Sequence, residues 1–333
     1  MDALKFENYE YSSIFMNEMV DYLKLRRSRG YKKRDNVKHI LKSVDTFLCK
    51  TNLIEKSIPV SYVDEWLGTL PANLAIGTKS AYISGYSGFA KYLNSININA
   101  FVPEYLKSGS EYIPYIFTHE DMKRIFEAAD NMTVYRGLNK LTPLQFPILL
   151  RILYGCGLRL GEALSLKASD IDFNSGVIFI RNAKGSKDRL VPMDESLNRI
   201  CQRYLFVMRS ELLKRDALFF MNKDGKQYSQ AWPQKLFRKI LTRAGIDRFN
   251  LEPHRRNICL HCLRHTFSIN AFKKLDEAGV NSYSSAPLLS IYLGHTDLYK
   301  TEIYLHMTEE VHKNIIDKTG SYTKGIFPDV PSL

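Results

Sequence analysis

Apolar residues recur along this chain at helical intervals far more often than they alternate. Over residues 11–29, Ile14, Phe15, Met19, Tyr22 and Leu23 share a face, and Ser12 or Ser13 stands where it could cap the start. The spacing predicts a second helix over 34–50, with Val37, Ile40, Leu41, Val44, Phe47 and Leu48 turned inward. A short helix at 61–68 and a longer one near 76–95, rich in small residues and tyrosine, complete a four-helix unit. Residues 96–117 leave this pattern and read as a linker, punctuated by Pro103, Gly109 and Pro114, with the domain boundary near 110. Thr118 then opens a helix over 118–130, with Asp121 spaced for a capping box. An apolar helix follows at about 144–156. Val177-Ile178-Phe179-Ile180-Arg181 reads as a strand, and Arg189-Leu190-Val191-Pro192 as its hairpin partner across a turn that contains Lys184 and Gly185. Helices resume at about 195–214, 230–245, 262–275, 285–293 and 308–317, and the tail from Gly320 reads as extended. The expected class is mainly α with a small antiparallel β-sheet. The expected domains are a helical one over 1–110, its linker included, and a second over 111–333.

Composition adds a direction. The 333 residues are 45% hydrophobic and 12% aromatic, enough to build sizeable cores and too apolar for a disordered chain. Lys and Arg number 47 against 35 Asp and Glu, a formal charge of +12. A folded, basic protein of this size points to a polyanion, with nucleic acid as the first candidate and an anionic membrane surface as the second. The most apolar stretch, Phe146 to Leu158, is short and interrupted by Arg151, so no spanning helix is expected. The N-terminus lacks a secretory pattern, and five cysteines in a long chain read as reduced thiols of a cytosolic compartment.

The basic residues cluster. Lys24, Arg26, Arg27, Arg29, Lys32, Lys33, Arg34, Lys38 and Lys42 lie on or between the first two helices, with only Asp35 opposing them. Such a run is either a solvated face or an edge that contacts DNA phosphates, and Lys79 on the longer helix joins the second reading. A second run, Arg238, Lys239, Arg243, Arg248, Arg255 and Arg256, carries the same two readings. Cys259 and Cys262, with His254 and His265 nearby, invite a zinc reading, but one close cysteine pair without a second is a poor zinc signature. No phosphate-cradling glycine loop or acidic metal cluster stands out, which disfavours a nucleotide-driven enzyme or a two-metal nuclease.

The polar residues of the second half form an ordered set. Gly157-Leu158-Arg159 places an arginine at the end of an apolar helix, and Glu162 comes three residues later, within reach if that segment is helical. Lys184 sits in the hairpin turn. His261 and Arg264 are three apart and so share a helix face. Leu293-Gly294-His295 ends a helix, and Tyr304 follows nine residues after His295. Singly, each has a bland reading as an ion pair, a solvated lysine or one of 20 tyrosines.

In this order and spacing the set resembles the tyrosine recombinases, or phage-type integrases, over about 118–318. The preceding unit fits that family's core-binding domain in size and place only. The resemblance implies cleavage and rejoining of DNA through a 3′-phosphotyrosyl intermediate and a Holliday junction, by four subunits on two sites. Tyr304 is then the nucleophile and His261 its proton acceptor. Lys184 is the acid that protonates the leaving 5′-oxygen. Arg159, Arg264 and His295 bind the scissile phosphate, and Glu162 orients the arginine and histidine network. Positive charge on both sides of the phosphate takes the place of a metal, and the covalent link conserves bond energy, so no cofactor is implied. Candidate DNA contacts are Arg26, Arg27, Lys32, Lys33, Arg34, Lys79, Arg255 and Arg256. Implied partners are a double-stranded DNA site, a homotetramer on it, and accessory DNA-bending proteins or sister recombinases. The expected location is cytoplasmic and nucleoid-associated. Cys262 stands where the family commonly has an acidic residue. The stretch from Arg264 to Leu293 reads as longer than in compact members, with an extended loop over 275–287, which leans toward transposon-borne integrases. The alternatives are a type IB topoisomerase-like enzyme and a catalytically silent DNA-binding accessory factor.

Overall fold

The computed structural model describes residues 11–31, 36–51, 53, 55–104, 114–133, 140–181, 188–214, 216–246, 258–280 and 282–294. The chain divides into two compact units, Met1–Ser110 and Glu111–Leu333.

The first unit is built from α1 (Met16–Ser28), α2 (Val37–Leu48), α3 (Val60–Gly68) and α4 (Ile76–Ser95). Val37, Ile40, Leu41, Val44 and Leu48 of α2 are all buried, as their three- and four-residue spacing requires, while Phe47 is half-buried. The small residues of α4 are what let its neighbours approach. A side chain at Gly85 would run into Ile40 of α2, and one at Gly88 into the Tyr22 hydroxyl of α1. Phe15, Met19, Leu41, Phe89 and Leu93 close the core.

One expectation fails here for a tertiary reason. Ser12 and Ser13 do not cap α1, which starts at Met16 without a side-chain cap. Their backbone N–H groups donate instead to Asp45 Oδ1, at 2.9 and 2.8 Å. Asp45 also pairs with Lys42 at 3.0 Å. Its carboxylate is fully buried, and burial alone would raise its pKa. The hydrogen bonds from Ser13, Lys42 and Ser12 outweigh that and hold it below the ordinary 3.8. Asp45→Ala would leave the buried Ser13 N–H, and the more exposed Ser12 N–H, without this acceptor, and is expected to cost about 1–3 kcal/mol, read by urea unfolding. Because a depressed carboxyl pKa favours the folded state only while the group is ionised, the Asp45 contribution is complete above pH 3.8 and fades as pH falls below it.

The first part of the linker packs within the first unit. Ile58 N–H donates to Asn99 O and Phe101 N–H to Ile58 O, and Ala100 is buried between them. The Asn94 amide both donates to Ala100 O and accepts from its N–H, at 2.8 Å each.

The second unit opens with α5 (His119–Asp130), where Thr118 Oγ1 accepts from Asp121 N–H and Asp121 Oδ2 accepts from Thr118 N–H, the expected capping box. Then come α6 (Thr142–Gly155), α7 (Leu160–Ser165), β1 (Ile171–Asp172), β2 (Val177–Ile180), β3 (Arg189–Pro192), α8 (Glu195–Val207), α9 (Arg209–Leu212), α10 (Ala231–Arg243), α11 (His261–Glu277) and α12 (Ser282–Leu293). The sheet is antiparallel in the order β1-β2-β3, with Ile178 opposite Val191 and Ile180 opposite Arg189. Ile178, Ile180 and Val191 face the core and Leu190 faces out. Arg181 lies past the end of β2 and is held by Asp170 at 2.6 Å. The helix expected over 195–214 breaks at Met208 into α8 and α9.

The extended loop expected over 275–287 is instead taken up by helices. Gly279, at φ +78°, ends α11 in the left-handed conformation, with Val280 N–H donating back to Leu275 O, and α12 starts at Ser282. The core of this unit is formed by α5, α6, the sheet, α8, α10 and the start of α11. A satellite cluster of Ile269, Phe272, Ala286, Leu289 and Leu293 joins α11 to α12. Among the described residues, no helix is long and apolar enough to cross a membrane.

Candidate active site

The site begins where α6 stops. Gly157 takes φ +60°, and a side chain there would collide with the Phe267 ring of α11. This reversal is why Arg159 does not end an apolar helix, as its sequence context suggests, but stands at the N-cap of the next one. Glu162, at the third position of α7, accepts from Arg159 N–H through Oε2 at 3.0 Å and from Arg159 Nη1 through Oε1 at 2.8 Å. The carboxylate thus satisfies a helix-start amide and aims a guanidinium with the same bonds.

Arg264 enters from the first turn of α11 and is only 1% exposed. Its Nη1 donates to Gly157 O at 2.6 Å and its Nη2 to Leu293 O at 2.7 Å. Arg159 Nη2 donates to the next carbonyl along, Gly294 O, at 2.6 Å. Two arginines distant in sequence therefore grip consecutive carbonyls at the C-terminal end of α12. Helix-end carbonyls lack intrahelical partners and carry the negative end of the helix dipole, so cations are favoured there. Gly294, at φ +64°, ends the helix in the left-handed conformation, and a β-carbon on it would come within 3.1 Å of Arg189 Nη1.

His261 is the first residue of α11 and is exposed at the surface. Desolvation by the surrounding protein, followed by the charges of Arg264 and Arg159, pushes its pKa down from 6.5 to about 4. At neutral pH the imidazole is uncharged and able to accept a proton. The His265 ring meets it edge-on, with centroids 4.6 Å apart.

Sequence reading missed one member of this cluster. Arg189 of β3 donates from Nη1 and Nη2 to Glu162 Oε1 and Oε2, at 3.1 and 2.8 Å, and from Nε to Tyr292 O at 2.7 Å. Burial would raise the Glu162 pKa, but Arg189 first and then Arg159 bring it down to about 2. A signal was present: residues 189 and 191 share a strand face, Val191 is apolar, and an inward arginine requires a carboxylate. Which carboxylate it finds is a long-range fact.

The structure therefore brings together Arg159, Glu162, His261 and Arg264. Lys184, His295 and Tyr304 lie outside the described residues, as do Lys32, Lys33, Arg34, Arg255 and Arg256. In the first unit, Arg26 lies over the Tyr31 ring at 4.0 Å, and Arg27 and Lys79 are half-buried. Asp35 is not alone in opposing the basic cluster, since Lys24 pairs with Asp21 and Lys42 with Asp45. Arg238, Lys239 and Arg243 lie on the exposed side of α10. Cys259 Sγ and Cys262 Sγ are 3.9 Å apart, in hydrogen-bonding contact and not joined by a disulfide. Among the described residues, no group of three or more His, Cys, Asp or Glu side chains could hold a metal ion.

Residues 116–310 match the phage integrase family. The chain belongs to that family. A putative integrase/recombinase, y4rB, of Sinorhizobium fredii is 28% identical over 308 residues, which cover 90% of this chain and 95% of the relative. The tyrosine recombinase XerC of Oceanobacillus iheyensis is also 28% identical, over 89% of this chain and 85% of its own length. Among solved structures, XerH site-specific recombinase bound to a palindromic difH substrate superposes with a TM-score of 0.66 at 20% identity, over 94% of this chain and 91% of that one. The Tn1549 transposon integrase in complex with a circular intermediate DNA gives 0.62 at 18%, over 90% and 99%. Family members of both the Xer and the transposon kind are thus similar to this chain. The long loop that leaned toward the transposon kind is taken up by α11 and α12.

Proposed function

We propose that this member of the phage integrase family is a site-specific DNA recombinase that cleaves and rejoins duplex DNA through a phosphotyrosyl intermediate. The observation that carries the reading is the convergence of Arg159 and Arg264 on consecutive carbonyls at the end of α12, with a neutral His261 beside them. Their guanidiniums are fixed before any substrate arrives, which is what stabilising a highly charged phosphorane transition state requires. In the step itself, the Tyr304 oxygen bonds to phosphorus and its proton passes to His261. The bond from phosphorus to the 5′-oxygen breaks, and Lys184 protonates that oxygen. Rejoining is the reverse with a new 5′-hydroxyl. His295, next to Gly294, adds a hydrogen bond to the phosphate. Lys184, His295 and Tyr304 enter this scheme on their sequence pattern.

The first unit takes the role of the helical DNA-binding domain, with Arg26, Arg27, Lys32, Lys33, Arg34 and Lys79 as its phosphate contacts. The second unit is the catalytic domain, with Arg255 and Arg256, which shortly precede His261 in sequence, as further phosphate contacts. Exchange between two sites requires a homotetramer, and apolar residues Val311, Ile315 and Ile316 after Tyr304 supply a segment for docking on a neighbouring subunit. Accessory DNA-bending proteins or sister recombinases complete the assembly.

The test is a nicked suicide duplex drawn from DNA flanking the gene, incubated without metal or ATP and resolved on a denaturing gel. Wild type is expected to give a protease-sensitive DNA adduct and Tyr304→Phe none. An adduct from Tyr304→Phe, or no adduct from wild type on DNA that it binds, refutes the reading.

A further inference from the structure

We propose that Arg189 is a positioning residue for strand cleavage, one that latches the β-hairpin to the arginine pair and sets the charge that Arg159 presents to the phosphate. The proposal rests on the recombinase reading above. Arg189 is 9% exposed on its side chain, and its Nε and both terminal nitrogens are engaged with Glu162 and Tyr292 O.

Two physical consequences follow from that placement. The first is electrostatic. A carboxylate 2.8 Å from Arg159 cancels much of the field that this guanidinium would exert on a phosphate. Arg189 shares the same carboxylate, so the cluster of Arg159, Glu162 and Arg189 carries a net charge of +1 rather than zero. Glu162 can therefore orient Arg159 without neutralising it. The second is mechanical. Arg189 is the first residue of the strand that follows the turn bearing Lys184. It grips α7 through Glu162 and the last turn of α12 through Tyr292 O, just ahead of Gly294-His295. One planar fork thus ties together the segments that carry the leaving-group acid, the first arginine and the phosphate-binding histidine. Lysine at this position has one nitrogen and cannot span both Glu162 oxygens and a carbonyl in that geometry. The partner ring of contacts is tight as well, because a β-carbon at Gly294 would press on Arg189 Cζ at 3.3 Å.

The test measures single-turnover adduct formation and DNA affinity for wild type, Arg189→Gln, Glu162→Gln, the double variant and Arg189→Lys, at a temperature where each is folded by circular dichroism. Arg189→Gln is expected to slow adduct formation about 10²-fold with DNA affinity unchanged, the loss that a misplacement of about 1 Å produces. If Arg189 acts through Glu162, the double variant is no slower than the slower single variant, because the two changes break one linkage. Arg189→Lys is expected to recover part of the rate but not all of it. It also decides the matter if the Gln variant fails to fold. Wild-type rates in Arg189→Lys or Arg189→Gln overturn the proposal, as do losses that multiply in the double variant or a loss confined to DNA affinity. A wild type that forms no adduct overturns the recombinase reading itself, so the two failures are told apart by the wild-type lane.

Discussion

Arg264→Ala is expected to abolish adduct formation, by at least about 10³-fold, and also to lower the stability of the second unit by about 2–5 kcal/mol. The two losses have different origins. Arg264 is one of the largest fully buried side chains of the molecule, and its guanidinium is the donor to Gly157 O and Leu293 O. Removing it leaves two buried carbonyls short of a donor and opens a void where α6, α11 and α12 meet. It also removes a fixed positive charge that would meet the phosphate. Arg264→Lys separates the two effects. It keeps the charge but cannot reach both carbonyls, so stability is expected to recover in part while adduct formation stays far below wild type. Adduct formation by single-turnover gel and stability by urea unfolding check this. Adduct formation by Arg264→Ala within tenfold of wild type would remove Arg264 from the site.

The features legible in the sequence are those where chemistry and local spacing coincide. The capping box of Thr118 and Asp121, the buried face of α2 and the β2–β3 hairpin each depend on a few neighbouring residues, and each is found where the pattern put it. Arg159, Glu162, His261 and Arg264 were legible as a set only through the resemblance of their order and spacing to the tyrosine recombinases, since singly each has a bland reading. What brings them together was not legible. The grip on Leu293 O and Gly294 O depends on how α11 packs on α12, and side-chain-to-carbonyl bonds across 29 and 135 residues leave no periodicity. Arg189 was missed for the same reason. α7 has six residues, too few for a pattern, and it forms because Gly157 can reverse the chain and Glu162 caps the start. The error over 275–287 came from composition. Serine, glycine and proline there resemble a loop, yet Gly279 is a helix terminator and the serines lie in α12, packed by Ala286, Leu289 and Leu293. The misplaced caps at Ser12 and Ser13 reflect the pull of a buried acceptor, Asp45, from another helix.

His261 gives the second large effect, and its sign can be worked out. Its pKa stands at about 4 in place of the ordinary 6.5, first because the protein desolvates it and then because Arg264 and Arg159 repel a second charge. The depressed value means that the folded state binds this proton later than the unfolded chain does. His261 therefore leaves stability intact above pH 6.5 and removes it as pH falls from 6.5 toward 4. For catalysis, the neutral acceptor is present down to about pH 4 in the free enzyme, so the acid limb of kcat/KM for adduct formation should lie well below 6.5. A bound phosphate partly offsets the arginine charges, so the limb of kcat, which reports the complex, should lie higher than that of kcat/KM. His261→Ala is expected to slow adduct formation by about 10²–10⁴-fold and to flatten the limb. His261→Gln keeps a hydrogen-bonding side chain without a titrating nitrogen and should flatten it too, which separates proton transfer from packing. Rate profiles across pH 4–8, with folding checked at each pH, make the comparison. An acid limb that survives both substitutions belongs to another group and takes His261 out of the proton path, whatever its distance from the arginines.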